Sequence, residues 1–380
     1  MAAVQKVLSV FGTRPEAIKM APVVAALAAS PEFDARVCVT AQHREMLDQV
    51  LELFGLDVDH DLDLMSAGQS PTEVLSRVVA DLEPVLAAER PDWVLVQGDT
   101  TTAMAASLAA VYAGARVGHV EAGLRTFDRR RPFPEELNRL VVGAVADLHF
   151  APTEQARANL LREGKTPESV LVCGNTVIDA LLTVAGLDAP VGGDPLEGVA
   201  PDRDVVLVTA HRRENFGAPF AEVCEALAEL ATTFADGIQI VYPVHPNPRV
   251  ADVARARLSG LPNATLCEPL DYHRLVQVMR RARLVITDSG GIQEEAPSLG
   301  VPVLVLRDVT ERPEAVDAGT VELVGCDRAT IVKRAAQLLT DAAAHDAMAR
   351  RTNPYGDGHA APRIVDALAG RPVEEFRPAG

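Results

Sequence analysis

Asp99, Glu121 and Glu135 are the side chains best suited by type and placing to move protons. Asp99 lies in Gly98-Asp99-Thr100-Thr101-Thr102 and Glu121 opens Glu121-Ala122-Gly123-Leu124-Arg125, each directly after an apolar run. Glu135 follows Pro132-Phe133-Pro134, a loop stiffened by its prolines. Carboxylates aimed at one cleft raise one another's proton affinity, so one stays protonated as an acid while another works as a base. Helix capping or dipole pairing is the alternative for Asp99 and Glu135. Glu121 lacks that alternative, because Ala122-Gly123 offers no helix to cap. A second set is suited to anions. Arg14, in Gly12-Thr13-Arg14-Pro15-Glu16, fits a phosphate fork or a surface cap. His211 could donate to a phosphate or assist a leaving group, and His245 ends a matching strand; a structural role is the alternative for each. In Asp288-Ser289-Gly290-Gly291-Ile292-Gln293-Glu294-Glu295, a strand, a Ser-Gly-Gly turn and a helix start leave unpaired amides facing outward. The glycines let a phosphate come close, and the acidic pair a turn later could take ribose hydroxyls. The alternative is a Gly-rich turn with solvated glutamates.

These residues need a scaffold that brings strand ends together. Strands are expected at 6–11, 36–40, 93–97, 116–120, 147–151 and 170–173, with helices at 17–29 and 43–54. After a Gly-, Pro- and Asp-rich loop at 186–203 the pattern restarts, with strands at 205–209, 238–242, 264–267, 284–287 and 301–306. A terminal helix is expected at 362–368. The reading is an α/β protein of two Rossmann-like domains, 1–176 and 177–361, with the segment 362–380 packing back on the first. Such domains leave a cleft at the carboxyl ends of their strands, where Arg14, Gln42, His43, Asp99, Glu121, His211, His245 and Ser289 all fall.

The 380 residues suffice for two domains, and their 48% hydrophobic content with only 4% aromatics implies cores of Ala, Val and Leu. No run is long enough to span a membrane, and the apolar N-terminus reads as a first strand. The five cysteines are scattered and form no C-x-x-C, so reduced core thiols in a cytoplasmic protein are expected. A net charge of −17 argues against a nucleic-acid partner. Local cations must then hold any polyanionic ligand: Arg14 and Lys19, Arg129–Arg131, Arg212 and Arg213. G-x-G-x-x-G, G-x-x-x-x-G-K-[ST] and H-E-x-x-H are all absent, which removes support for nicotinamide, P-loop and zinc chemistry.

Long ordered stretches carry a resemblance. FGTRPEAIKMAPVV, VCVTAQHREMLDQVL, GDTTTAMAASLAA, VGHVEAGLRT, PFPEELNR, GNTVIDAL, TAHRRENFG, YPVHPNP, TDSGGIQEEAPSLGVPVLVLRDVTERPEAVDAGT and NPYGDG run from Lys6 to about Gly358. Together they resemble the non-hydrolysing UDP-N-acetylglucosamine 2-epimerases of bacteria. The resemblance implies a fold shared with GT-B glycosyltransferases and reversible conversion of UDP-GlcNAc to UDP-ManNAc. It implies anti elimination of UDP to bound 2-acetamidoglucal and re-addition, with no cofactor and no metal. By resemblance Asp99, Glu121, Glu135 and His211 match catalytic groups. Arg14, Lys19, His211, Ser289, Gly290 and Gly291 match substrate contacts, and Glu295 a ribose contact. Activation by UDP-GlcNAc at a second site is also implied, through Gln42, Glu45, Arg212 and His245; position 45 is Glu where some activated members carry Gln. A homodimer is expected. The rivals are a hydrolysing epimerase, a glycosyltransferase and a silent nucleotide-sugar sensor. Arg129–Arg131 reads as a lid or as a solvated loop.

Overall fold

The computed structural model describes residues 4–40, 44–64, 68–188 and 196–378. Two compact units emerge: the first holds the chain up to Ala180 and again Tyr355–Arg377, and the second contains Leu181–Pro354.

In the first unit the strands are β1 (Gln5–Phe11), β2 (Phe33–Val39), β3 (His60–Asp61), β4 (Trp93–Gln97), β5 (Arg116–Val120), β6 (Leu148–Ala151) and β7 (Val170–Val172). They form one parallel sheet in the order β3-β2-β1-β4-β5-β6-β7. The second unit has β8 (Asp204–Thr209), β9 (Ile238–Pro243), β10 (Ala264–Cys267), β11 (Ala282–Thr287), β12 (Val303–Val305) and β13 (Val321–Leu323). Their order is β10-β9-β8-β11-β12-β13, again all parallel. Each unit is thus a doubly wound Rossmann-like sheet whose strand order reverses once, at β1/β4 and at β8/β11. The expected strands are present within a residue or two, except that β2 starts three residues before the expected 36. The short edge strands β3 and β13 were not expected, because two or three residues carry no readable period.

The sheets form because their central strands are continuous apolar runs, as strands covered on both faces must be. Every residue of β4 is buried, and so are Val205–Thr209 of β8. Phe11 and Phe150 are fully buried in the first unit, Phe220 and Tyr242 in the second. Burying such a ring stabilises by about 2–3 kcal/mol. All five cysteines are free thiols, with Cys38, Cys173 and Cys224 buried. Among the described residues, no helix is long and apolar enough to cross a membrane.

The helix Arg14–Ala28 begins three residues earlier than the expected 17–29. A capping box explains this: the Thr13 hydroxyl accepts from the Glu16 amide, and Glu16 Oε2 accepts from the Thr13 amide at 2.7 Å. The box puts Arg14 on the first turn, directly after β1. The terminal helix Ala360–Leu368 is held in the first unit by Asp179, which accepts from the amides of Ala360 and Ala361 at 3.2 and 2.8 Å. A carboxylate placed there satisfies two of the helix's orphan donors.

Candidate functional site

The first unit gathers its charged residues at the carboxyl ends of β4 and β5. Asp99 follows β4 through Gly98. Its Oδ2 accepts from Arg139 Nη2 at 2.5 Å, and its carbonyl accepts from Asn138 Nδ2 at 2.8 Å. Thr100, not Asp99, caps the next helix, Thr101–Tyr112, by accepting from the Ala103 amide at 3.0 Å. The Asp99 carboxylate is therefore not spent on capping.

Glu121 ends β5 with φ +61°, in the left-handed region. For a residue with a side chain that conformation costs about 1 kcal/mol or more, so its surroundings must hold it there. Glu121 Oε2 is bonded to Lys19 Nζ and accepts from Asn175 Nδ2 at 3.0 Å. Lys19 rises from the helix Arg14–Ala28, one turn beyond Arg14, which is half-buried.

Glu135 opens the helix Glu135–Val145. Its neighbour Glu136 is the structural acid: buried, it accepts from the amides of Thr126 and Phe127 at 3.1 and 2.9 Å and from Arg139 Nη1 at 2.9 Å. Glu135 Oε2 is buried and lacks a hydrogen-bond partner among the described residues. Arg129–Arg131 before it are exposed.

Glu16 was not singled out from the sequence, yet it links these turns. It is buried and accepts from the Gly12 amide at 3.1 Å, the Thr13 amide, and the Thr100 hydroxyl at 2.6 Å. Burial pushes its pKa upward against those donors. One carboxylate thereby ties the turn bearing Arg14 to the residue beside Asp99.

The second unit is built differently. Asp288, fully buried at the end of β11, accepts from the amides of His211 and Arg212 at 2.9 and 2.8 Å and from Asn215 Nδ2 at 3.2 Å. The turn after β8 is thus folded around a side chain from β11. The His211 ring stacks on His245, centroids 5.4 Å apart and planes 12° from parallel. Partial burial lowers the pKa of His211, opposed by the Asp288 carboxylate 3.8 Å from Nδ1. His245 Nδ1 accepts from the Asn247 amide at 3.1 Å, which leaves the ring proton on Nε2.

Ser289 heads the short helix Gly290–Glu295, and its hydroxyl makes no capping bond there. A Cβ on Gly290 would lie 2.5 Å from Arg312 Nη1 and 2.9 Å from its Cζ, so a larger residue there makes the guanidinium shift. Arg312, oriented by Glu294 Oε1 at 2.5 Å, therefore lies across the start of this helix beside Ser289. A Cβ on Gly291 would meet Glu295 Oε2 at 3.5 Å, ordinary contact. Glu295 is buried, and its Oε1 accepts from the Tyr272 hydroxyl at 2.7 Å. Asp288 and Arg312 carried no role in the sequence reading; the signal for both is adjacency, Asp288 inside the Ser-Gly-Gly motif and Arg312 in Thr310-Glu311-Arg312-Pro313. Gln42 and His43 lie outside the described residues, as does the side chain of Glu45. Among the described residues no group of His, Cys, Asp and Glu could hold a metal ion.

Comparison with known proteins places this arrangement. The family model for UDP-N-acetylglucosamine 2-epimerase matches residues 25–369. The UDP-N-acetylglucosamine 2-epimerase of Escherichia coli K12 is 56% identical over 371 residues, 96% of this chain and 98% of the relative. A UDP-N-acetylglucosamine 2-epimerase structure from Listeria monocytogenes is 49% identical with a TM-score of 0.93, covering 99% of this chain and 100% of that one. The UDP-GlcNAc 2-epimerase of Neisseria meningitidis, solved bound to UDP-GlcNAc, is 46% identical with a TM-score of 0.85, covering 96% and 100%. On family match, identity and coverage alike, the chain belongs to the UDP-N-acetylglucosamine 2-epimerase family.

Proposed function

We propose that the protein interconverts UDP-GlcNAc and UDP-ManNAc without hydrolysis, by anti elimination of UDP and its re-addition. The C2 proton of the sugar is not α to a carbonyl, so a base alone meets a high barrier. Departure of the anomeric pyrophosphate must share it: the C1–O bond breaks as a carboxylate takes the C2 proton, leaving a C1=C2 double bond. UDP then adds back at C1 while a proton returns to the opposite face of C2. Atoms balance and no redox partner is needed.

The observation that carries this reading is Glu121 held at a left-handed strand end by Lys19 and Asn175, with the Asp99–Arg139 pair on the adjoining strand. General acid–base exchange needs carboxylates fixed in place beside cations that tune them. Glu135, with a buried oxygen that has no hydrogen-bond partner among the described residues, completes the acid set. On this reading Arg14, Lys19, His211, Ser289, Gly290 and Gly291 contact the diphosphate and sugar, and Glu295 a ribose hydroxyl. His211 assists departure of the pyrophosphate.

Proton NMR with UDP-GlcNAc in D2O tests the proposal. UDP-ManNAc appearing with deuterium at C2 of both sugars is the expected result. Free ManNAc accumulating from the outset would overturn the non-hydrolysing route.

The reading extends to regulation and assembly. UDP-GlcNAc acts as activator through Gln42, Glu45, Arg212 and His245; the stack of His245 on His211 supports this. Pure UDP-ManNAc should then react after a lag that trace UDP-GlcNAc abolishes, and linear progress curves would refute it. The protein works as a homodimer, and light scattering giving the mass of one chain would refute that.

A further inference from the structure

His119 lies on β5 two residues before Glu121 and is buried. It has no part in the chemistry described above, yet it contacts the turn that carries Asp99. Its Nε2 is 2.7 Å from the Gly98 carbonyl oxygen. A carbonyl only accepts, so Nε2 carries the proton and donates it. We propose that His119 is a positioning residue, whose Nε2–H bond to Gly98 sets the spacing between Asp99 and Glu121.

Three further observations converge on the same point. The Gly98 amide donates to the Val120 carbonyl at 2.9 Å, so the turn after β4 is tied to β5 from both sides of one residue. Gly98 has φ +69°, a conformation that removes it from the strand path and leaves the turn dependent on such ties. The Glu121 carboxylate overhangs the same residue: a Cβ on Gly98 would lie 3.9 Å from Glu121 Oε1. Asp99, Gly98 and Glu121 are thus one cluster, with His119 beneath it.

The imidazole suits this task because it stays neutral. Its Nδ1 is buried without a partner among the described residues, so a second ring proton would find no acceptor. Burial lowers its pKa to about 4. The bond to the Gly98 carbonyl opposes this burial first and the Glu121 carboxylate next, while Arg125 and Arg139 act with it; His149 faces the ring's residue across the β5–β6 ladder. The neutral donor is therefore unchanged around neutral pH.

The inference rests on the epimerase reading, and its test uses His119→Phe, which keeps ring volume without the donor, and His119→Gln, which restores an N–H near Nε2. Misplacing reacting groups by about an ångström costs roughly a hundredfold. His119→Phe should therefore lower kcat about ten- to a hundredfold while KM for UDP-GlcNAc changes less than about threefold, and His119→Gln should recover most of the loss. Equal activities in the two variants, whether normal or equally poor, would overturn the proposal. Hydrogen exchange supplies a readout independent of turnover: the Gly98 amide should exchange about tenfold faster in His119→Phe, with protection along β4 retained. Unchanged protection at Gly98 would also overturn it. Absence of C2 deuteration by the wild-type protein would refute the epimerase reading alone, and the exchange result would still decide the role of His119.

Discussion

The two units share a topology and use it in opposite ways. The first puts charged side chains at its strand ends and satisfies them with each other: Lys19 with Glu121, Arg139 with Asp99 and Glu136. The second spends its central carboxylate, Asp288, on backbone amides, and leaves the stacked pair His211 and His245 exposed. On the proposed reading, one set of strand ends serves proton transfer and the other holds the ligand.

Conservative removal of charge breaks the comparison most directly. Asp99→Asn and Glu121→Gln should each reduce turnover at least about a hundredfold while UDP affinity by calorimetry stays within about threefold. Near-normal rates in either variant would remove that residue from the chemistry. A large loss of UDP affinity would blur the division between the units.

Acid should separate the units next. His119 and His149, in the first unit, have pKa values lowered by burial to about 4 and about 3. A base with a depressed folded pKa contributes stability that is present above its unfolded value, 6.5, and lost as pH falls toward the folded one. Between pH 7 and 5 each should cost the first unit about 2 kcal/mol. Hydrogen exchange should show that unit loosening first at pH 5, and His149→Phe should remove about half of the effect. Equal loosening of both units would contradict it.

The second unit is tested through Gly290→Ala. The added methyl meets the Arg312 guanidinium, which must shift, and UDP should bind about tenfold more weakly with kcat at saturation little changed. Unaltered affinity would mean that Arg312 and the start of this helix lie apart from the ligand.

The smallest effect has the opposite sign to that of the histidines. Burial raises the pKa of Asp179 to about 6, so its contribution is complete below the unfolded value, 3.8, and fades as pH rises through 6. Lowering pH from 7 to 5 should return about 1 kcal/mol to the first unit, a gain that Asp179→Asn abolishes in urea titrations at the two pH values.

Much of this was legible in the sequence because parallel sheets write themselves as apolar runs closed by polar turns. The central strands, the position of Asp99 and Glu121 at strand ends, and a helix start at Ser289 all follow from that pattern; Gly290 and Gly291, expected in a turn, already belong to the helix. Glu16, His119 and Asp288 were not legible as partners. Each acts across the sheet on a residue 21 or more positions away, and no local period encodes such a bond. Arg312 needed the backbone of Gly290 before its place could be seen. Of two consecutive glutamates, only the structure separates Glu136, which holds a loop, from Glu135, which does not.

The return of Tyr355–Arg377 to the first unit bears on how the protein is made. A ribosome adding roughly 5–20 residues per second makes all of Leu181–Pro354 before the helix that Asp179 caps exists. The first unit therefore stays incomplete while the whole of the second is being made, lacking its contacts with Ala360–Leu368. Nascent chains stalled before Tyr355 should be the most protease-sensitive form of the first unit.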